Sequence, residues 1–230
     1  MPRSDADLFL HEEILLLALR DEKGTVDARA RMYQYALAGA IVAELFLGER
    51  VAVEPDKKRL VNLVSARPLG DPLLTECLGR IAEAKRRQRL NAWVQRFARI
   101  RDLRHRVAAG LCTRGILRVS EDKVLWIFTR RIYPERDPRP EKRIIERLRR
   151  AIFTESRTVD PRTVVLLSLA HGAGLLAIPF DRKQLRERKK RIEHVIEGEL
   201  LGRATREVVQ AAQAAATAAA VAATTAATVG

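Results

Sequence analysis

The chain has 230 residues, 47% of them hydrophobic, enough to bury a core in one large domain or two small ones; a single domain is expected. Its 43 Lys and Arg against 29 Asp and Glu give a net charge of +14, a field that draws phosphate-rich partners such as anionic lipid headgroups or nucleic acid and does not choose between them. Cys77 and Cys112 stand apart, outside any CxxC pair or dense cysteine framework, which argues against a disulfide-stapled secreted scaffold and fits a reducing cytoplasm.

The N-terminal run MPRSDADLFLHEE is acidic where an export signal needs a basic start and an unbroken apolar stretch, so no signal is expected and residues 1–7 read as a short tail. After Asp7 as a candidate cap, Leu8, Phe9, Ile14, Leu15, Leu16 and Leu19 give a helix with a wide apolar face that ends near Gly24. A second helix is predicted from Asp27 to Leu47. Val51 to Glu54 and Leu60 to Val64 flank Pro55 to Lys58 as a β-hairpin. A loop through Pro68, Gly70, Asp71 and Pro72 precedes a helix over Leu73 to Arg87.

From Asn91 to Leu111 the apolar residues Trp93, Phe97, Ile100, Leu103, Val107 and Leu111 recur at helical spacing with arginines between them, which predicts one amphipathic basic helix. A second hairpin is predicted from Ile116 to Val119 and Val124 to Phe128, turning over Ser120 to Lys123. Thr129 to Pro140 reads as an exposed Arg- and Pro-rich loop feeding a helix over Glu141 to Phe153. Asp160-Pro161 has the form of a cap and first-turn proline for a core helix through Leu176, and Asp181 caps a charged helix to Leu201. A last helix from Thr205 runs into the Ala/Thr-rich tail over residues 208–230. Val164 to Phe180 is slightly short and broken by Pro179, and the tail is dominated by Ala, Thr and Gln, so neither is a membrane span. The fold class is therefore mainly α, one helical domain over residues 8–207 with two small β-hairpins.

Catalysis has no obvious seat in this sequence. There is no HExxH, GxSxG or Walker A loop, and His11, His105, His171 and His194 lack metal-ligand spacing, so no enzyme activity, cofactor or metal is expected. The adjacent Glu12 and Glu13 diverge by about 100° around a helix and do not share a site. The segment from Arg130 to Arg143 is the main binding candidate, because arginines entering a helix N-terminus offer forked donors and a favourable dipole to phosphate. The helix and hairpin over Asn91 to Phe128 also suggest a winged nucleic-acid binder, the second-ranked partner class.

Several ordered blocks resemble the Golgi phosphoprotein 3 family: LFLHEEILLLALRDEKG from Leu8, LAGAIVAELFLGERVAVE from Leu37, LGDPLLTECL from Leu69, RDLRHRVAAGLCTRGIL from Arg101, and VLLSLAHGAGLLAIPF from Val165. The resemblance implies a helical domain with a protruding hairpin and peripheral attachment, from the cytoplasmic side, to membranes containing phosphatidylinositol 4-phosphate. It also implies non-catalytic adaptor work on cytoplasmic tails of membrane proteins, and it leaves homo-oligomer formation open. By the same resemblance Arg29 stands at the family's headgroup tryptophan position, Ala38 at a headgroup arginine, Arg143 at one of two later basic positions, and Glu146 at the other, beside Arg147. The implied headgroup set is thus Arg143, with Arg131, Arg147 and Arg29 as substitutes, and Lys57, Lys58 and Arg59 form a hairpin contact to the membrane. The departures, with high Ala and Arg content and no basic N-terminal extension, point to a prokaryotic relative.

Overall fold

The computed structural model describes residues 8–20, 22–54, 60–124, 128–156, 158–197, 213–222 and 224. The core forms around α1 (Leu10–Ala18), every residue of which is buried. A helix buried on all sides has no solvent face, and its Glu12 and Glu13 need partners from the elements around it: α2 (Tyr33–Leu47), α5 (Leu103–Thr113), α6 (Arg139–Phe153) and α7 (Pro161–Gly172) pack against it. The middle of α2, Ala36 to Phe46, and Thr163 to Ala170 of α7 are buried as well. Outside this centre lie α3 (Pro72–Ala82), α4 (Leu90–Ala98), a 3₁₀ turn over Leu175–Ala177, α8 (Arg182–Glu187) and α9 (Lys189–Ile196). Residues 213–222 are helical and bring Ala215 and Ala219 against Gly39 of α2. The fold is mainly α with two small antiparallel hairpins, as the sequence predicts.

Two strands, β1 (Val51–Val53) and β2 (Val61–Leu63), pair in the register Val51 to Leu63. The second hairpin departs from its predicted bounds. Its strands are β3 (Ser120–Val124) and β4 (Phe128–Ile132), so the expected turn Ser120 to Lys123 is a strand and Arg130 and Arg131 lie on a strand rather than in a loop. A charged, solvent-facing ribbon carries no alternating apolar signature; here opposite charges face each other, with Asp122 across from Arg130 and Glu121 across from Arg131. The Arg130 Nη2 to Asp122 Oδ2 distance is 2.6 Å.

Other boundaries move for local reasons. The helix expected from Asp27 starts at Tyr33, because the Asp27 carboxylate accepts from the Arg29 backbone N–H at 2.9 Å and holds a turn. The single helix over Asn91 to Leu111 is two helices, broken where Asp102 takes a left-handed conformation (φ 56°). The core helix through Leu176 ends at Gly172 and gives way to the 3₁₀ turn, and the charged helix after Asp181 breaks at Arg188. Asp160 and Asp181 do cap their helices, Asp160 accepting from Thr163 N at 2.9 Å. Asp71 caps α3 in the same way, accepting from Leu74 N at 2.7 Å with Pro72 in the first turn. Asp7, Thr205 and the hairpin tip at Pro55 to Arg59 lie outside the described residues.

Candidate anion-binding face

Two segments distant in sequence meet at Gly24. The Tyr133 N–H donates to the Gly24 carbonyl at 2.9 Å, and Gly24 adopts φ 59° with no room for a Cβ, whose ideal position falls 2.2 Å from the Pro134 nitrogen. This contact joins the loop between α1 and α2, which carries Lys23 and Arg29, to the junction between β4 and α6, which carries Arg131, Arg136, Lys142 and Arg143. Tyr133 itself is buried, with its hydroxyl 2.8 Å from His105 Nδ1. Burial, reinforced by the charges of Arg104 and Arg131, pulls the His105 imidazole below its ordinary value, while Asp102 pulls the other way.

The four expected headgroup residues differ in their commitments. Arg131 and Arg143 are exposed and, among the described residues, have no carboxylate within 4 Å. Arg29 lies in the same joined region but is clamped to Asp27 through its Nε at 2.8 Å and Nη2 at 3.1 Å, and its Nη1 donates to the Ala177 carbonyl at 2.6 Å. That clamp holds the Asp27 carboxyl well below the usual range. Arg147, one turn beyond Arg143, donates to the buried Glu13 at 2.9 Å. Burial pushes the Glu13 carboxyl above its ordinary value against the pull of Arg147 and Arg162. Lys57, Lys58 and Arg59 lie outside the described residues.

The start of α6 is less open to an outside anion than its sequence suggests. Asp137 accepts from the Arg139 backbone N–H at 3.1 Å and from its guanidinium at 2.8 Å, and these bonds lower the Asp137 carboxyl to about 2. One first-turn donor of the helix is thereby used internally. Lys23, not singled out in the sequence, and Arg136 and Lys142, within the Arg130 to Arg143 candidate segment, are exposed on the joined segments, again with no carboxylate within 4 Å among the described residues. Only the Gly24 contact reveals that Lys23 belongs with the later arginines.

Among the described residues no group of three or more His, Cys, Asp or Glu is arranged to hold a metal ion, and no helix is long and apolar enough to cross a membrane. The family described as Golgi phosphoprotein 3 (GPP34) matches residues 10–212. A vacuolar protein sorting-associated protein 74 from Eremothecium gossypii is 29% identical over 201 residues, covering 74% of this chain and 60% of that relative. The chain thus spans about 60% of the length of the curated relative it matches. With a family match over nearly the whole chain and the helical fold described above, the chain belongs to the Golgi phosphoprotein 3 family.

Proposed function

We propose that this protein is a non-catalytic peripheral membrane module whose exposed cations around the Gly24 junction bind anionic phospholipid headgroups, phosphatidylinositol 4-phosphate among them. The observation that carries the reading is the pair Arg131 and Arg143, exposed and with no carboxylate within 4 Å among the described residues, at the junction of β4 and α6 that the Gly24 to Tyr133 contact brings to the loop carrying Lys23 and Arg29. Arg29 and Arg147 border this face and contribute charge while tied to Asp27 and Glu13. Lys57, Lys58 and Arg59 would add a second contact to the membrane.

The relative's name associates it with protein sorting. An adaptor that holds cytoplasmic tails of membrane proteins against the bilayer follows as the cellular role. Each cation held near an anionic surface is worth about 1 kcal/mol. Arg131→Ala with Arg143→Ala should therefore weaken vesicle binding by about 2 kcal/mol, roughly 30-fold. Co-sedimentation with anionic vesicles checks this, using Arg182→Ala with Lys183→Ala as a charge-matched control. Equal weakening by both pairs would remove the assignment to this face.

A further inference from the structure

We propose that a cleft between α3 and α4, built from residues that the membrane-binding reading does not use, is a binding site for a phosphate monoester, free or as a headgroup. The cleft, of about 570 Å³, is lined by Arg80, Glu83, Trp93, Arg96, Phe97 and Arg99. Three arginines thus surround it against one carboxylate. Trp93 and Phe97 are buried beneath it and packed ring to ring at 5.6 Å. The Arg96 guanidinium sits over the Trp93 ring, 5.2 Å from its centroid. Stacking occupies the face of a guanidinium and leaves its in-plane N–H groups free for an oxyanion.

Two further features point to a missing acceptor. The Trp93 indole Nε1 is buried with no hydrogen-bond partner, a deficit that an acceptor oxygen beside Trp93 would relieve. The positive charge around the cleft is also incompletely neutralised. Arg80 shares the Glu76 carboxylate (2.8 Å) with Arg106 (2.5 Å), and Arg99 has no carboxylate within 4 Å among the described residues. A phosphate monoester carries up to two negative charges and three acceptor oxygens, matching several guanidinium forks and one indole donor better than a single carboxylate does.

The sequence holds two tryptophans, so Trp126→Phe leaves Trp93 as the only indole reporter in the full chain. Titration with glycerol 3-phosphate at constant ionic strength should change Trp93 emission saturably, and glycerol should not. The response should weaken about tenfold or more in Arg96→Gln with Arg99→Gln, as expected for losing two charge-assisted contacts. It should survive Arg131→Ala with Arg143→Ala, so loss of the membrane face and loss of this cleft read separately. A parallel arm compares phosphatidylcholine vesicles with and without phosphatidic acid: a response confined to phosphatidic acid assigns the ligand as a headgroup. Calorimetric titration of the unsubstituted chain gives the same comparison without Trp126→Phe. An unchanged Trp93 signal in both arms, an equal response to glycerol, or unaltered affinity in the Arg96 and Arg99 variant overturns the proposal.

Discussion

Three glutamates that the fold buries are each met by an arginine from a distant part of the chain. Glu12 takes Arg114 at 2.9 Å, Glu13 takes Arg147 at 2.9 Å, and Glu44 takes Arg162 through two bonds, the shorter 2.5 Å. Glu44 also accepts from the Leu10 N–H at 2.6 Å, and Glu12 from the Phe9 N–H at 2.8 Å, so these carboxylates also satisfy backbone donors at the buried start of α1. A buried carboxylate stripped of its cation keeps its desolvation cost. Arg162→Ala should therefore destabilise the protein by about 3–5 kcal/mol in urea unfolding; a loss below about 1 kcal/mol would show that water replaces the guanidinium freely. None of these pairs was legible in the sequence. They join positions 102, 134 and 118 residues apart, and only the divergence of Glu12 from Glu13 around the helix followed from local geometry.

His105 gives the protein a local pH dependence. Its native value lies below the ordinary 6.5, so folding favours the neutral ring. The stability this contributes is present above about pH 6.5 and is lost as pH falls through the lowered native value. The charge of Arg131 is one cause of the lowering, so an anion bound at Arg131 should move the His105 titration upward. NMR titration of the His105 ring with and without anionic vesicles or a soluble inositol phosphate checks this; an unmoved ring would separate Arg131 from the ligand.

At the scale of elements, the Gly24 contact does most to assemble the proposed face. A Cβ at Gly24 would meet the backbone of Tyr133 at 2.3 Å as well as Pro134, and φ 59° adds strain for any other residue. Backbone cannot rotate aside as a side chain can. Gly24→Ala should cost roughly 2 kcal/mol or more, at the upper end for an αL glycine, and should weaken vesicle binding beyond what lost stability explains. Thermal melting followed by sedimentation at a temperature where the variant is folded tests both. The sequence placed the end of the first helix near Gly24, whereas α1 ends at Ala18 and Leu19 turns to an extended conformation, and no local signal pointed to the partner of Gly24. Helix caps at Asp160 and Asp181 were legible because the signal is local. The break at Asp102 was not, since apolar residues keep their helical spacing across it, and the second hairpin was shifted because its strands are charged on both faces.

For the whole molecule, the mainly α architecture and the two hairpins were readable from apolar periodicity and turn residues, and the family match over residues 10–212 agrees with the ordered blocks noted in the sequence. What the sequence could not assign is which of many arginines face solvent unpaired. Net charge of +14 predicts salt-sensitive attraction to any polyanion, whereas the exposed Arg131 and Arg143 predict a preferred face. The most direct measurement is co-sedimentation with vesicles of simple anionic lipid and vesicles containing phosphatidylinositol 4-phosphate at matched charge, each at two salt concentrations and with competing DNA. Binding to both is expected, tighter to the phosphoinositide, weakened by Arg131→Ala with Arg143→Ala and resistant to DNA. Binding that follows charge alone, is removed equally by DNA, and ignores those two arginines would contradict it.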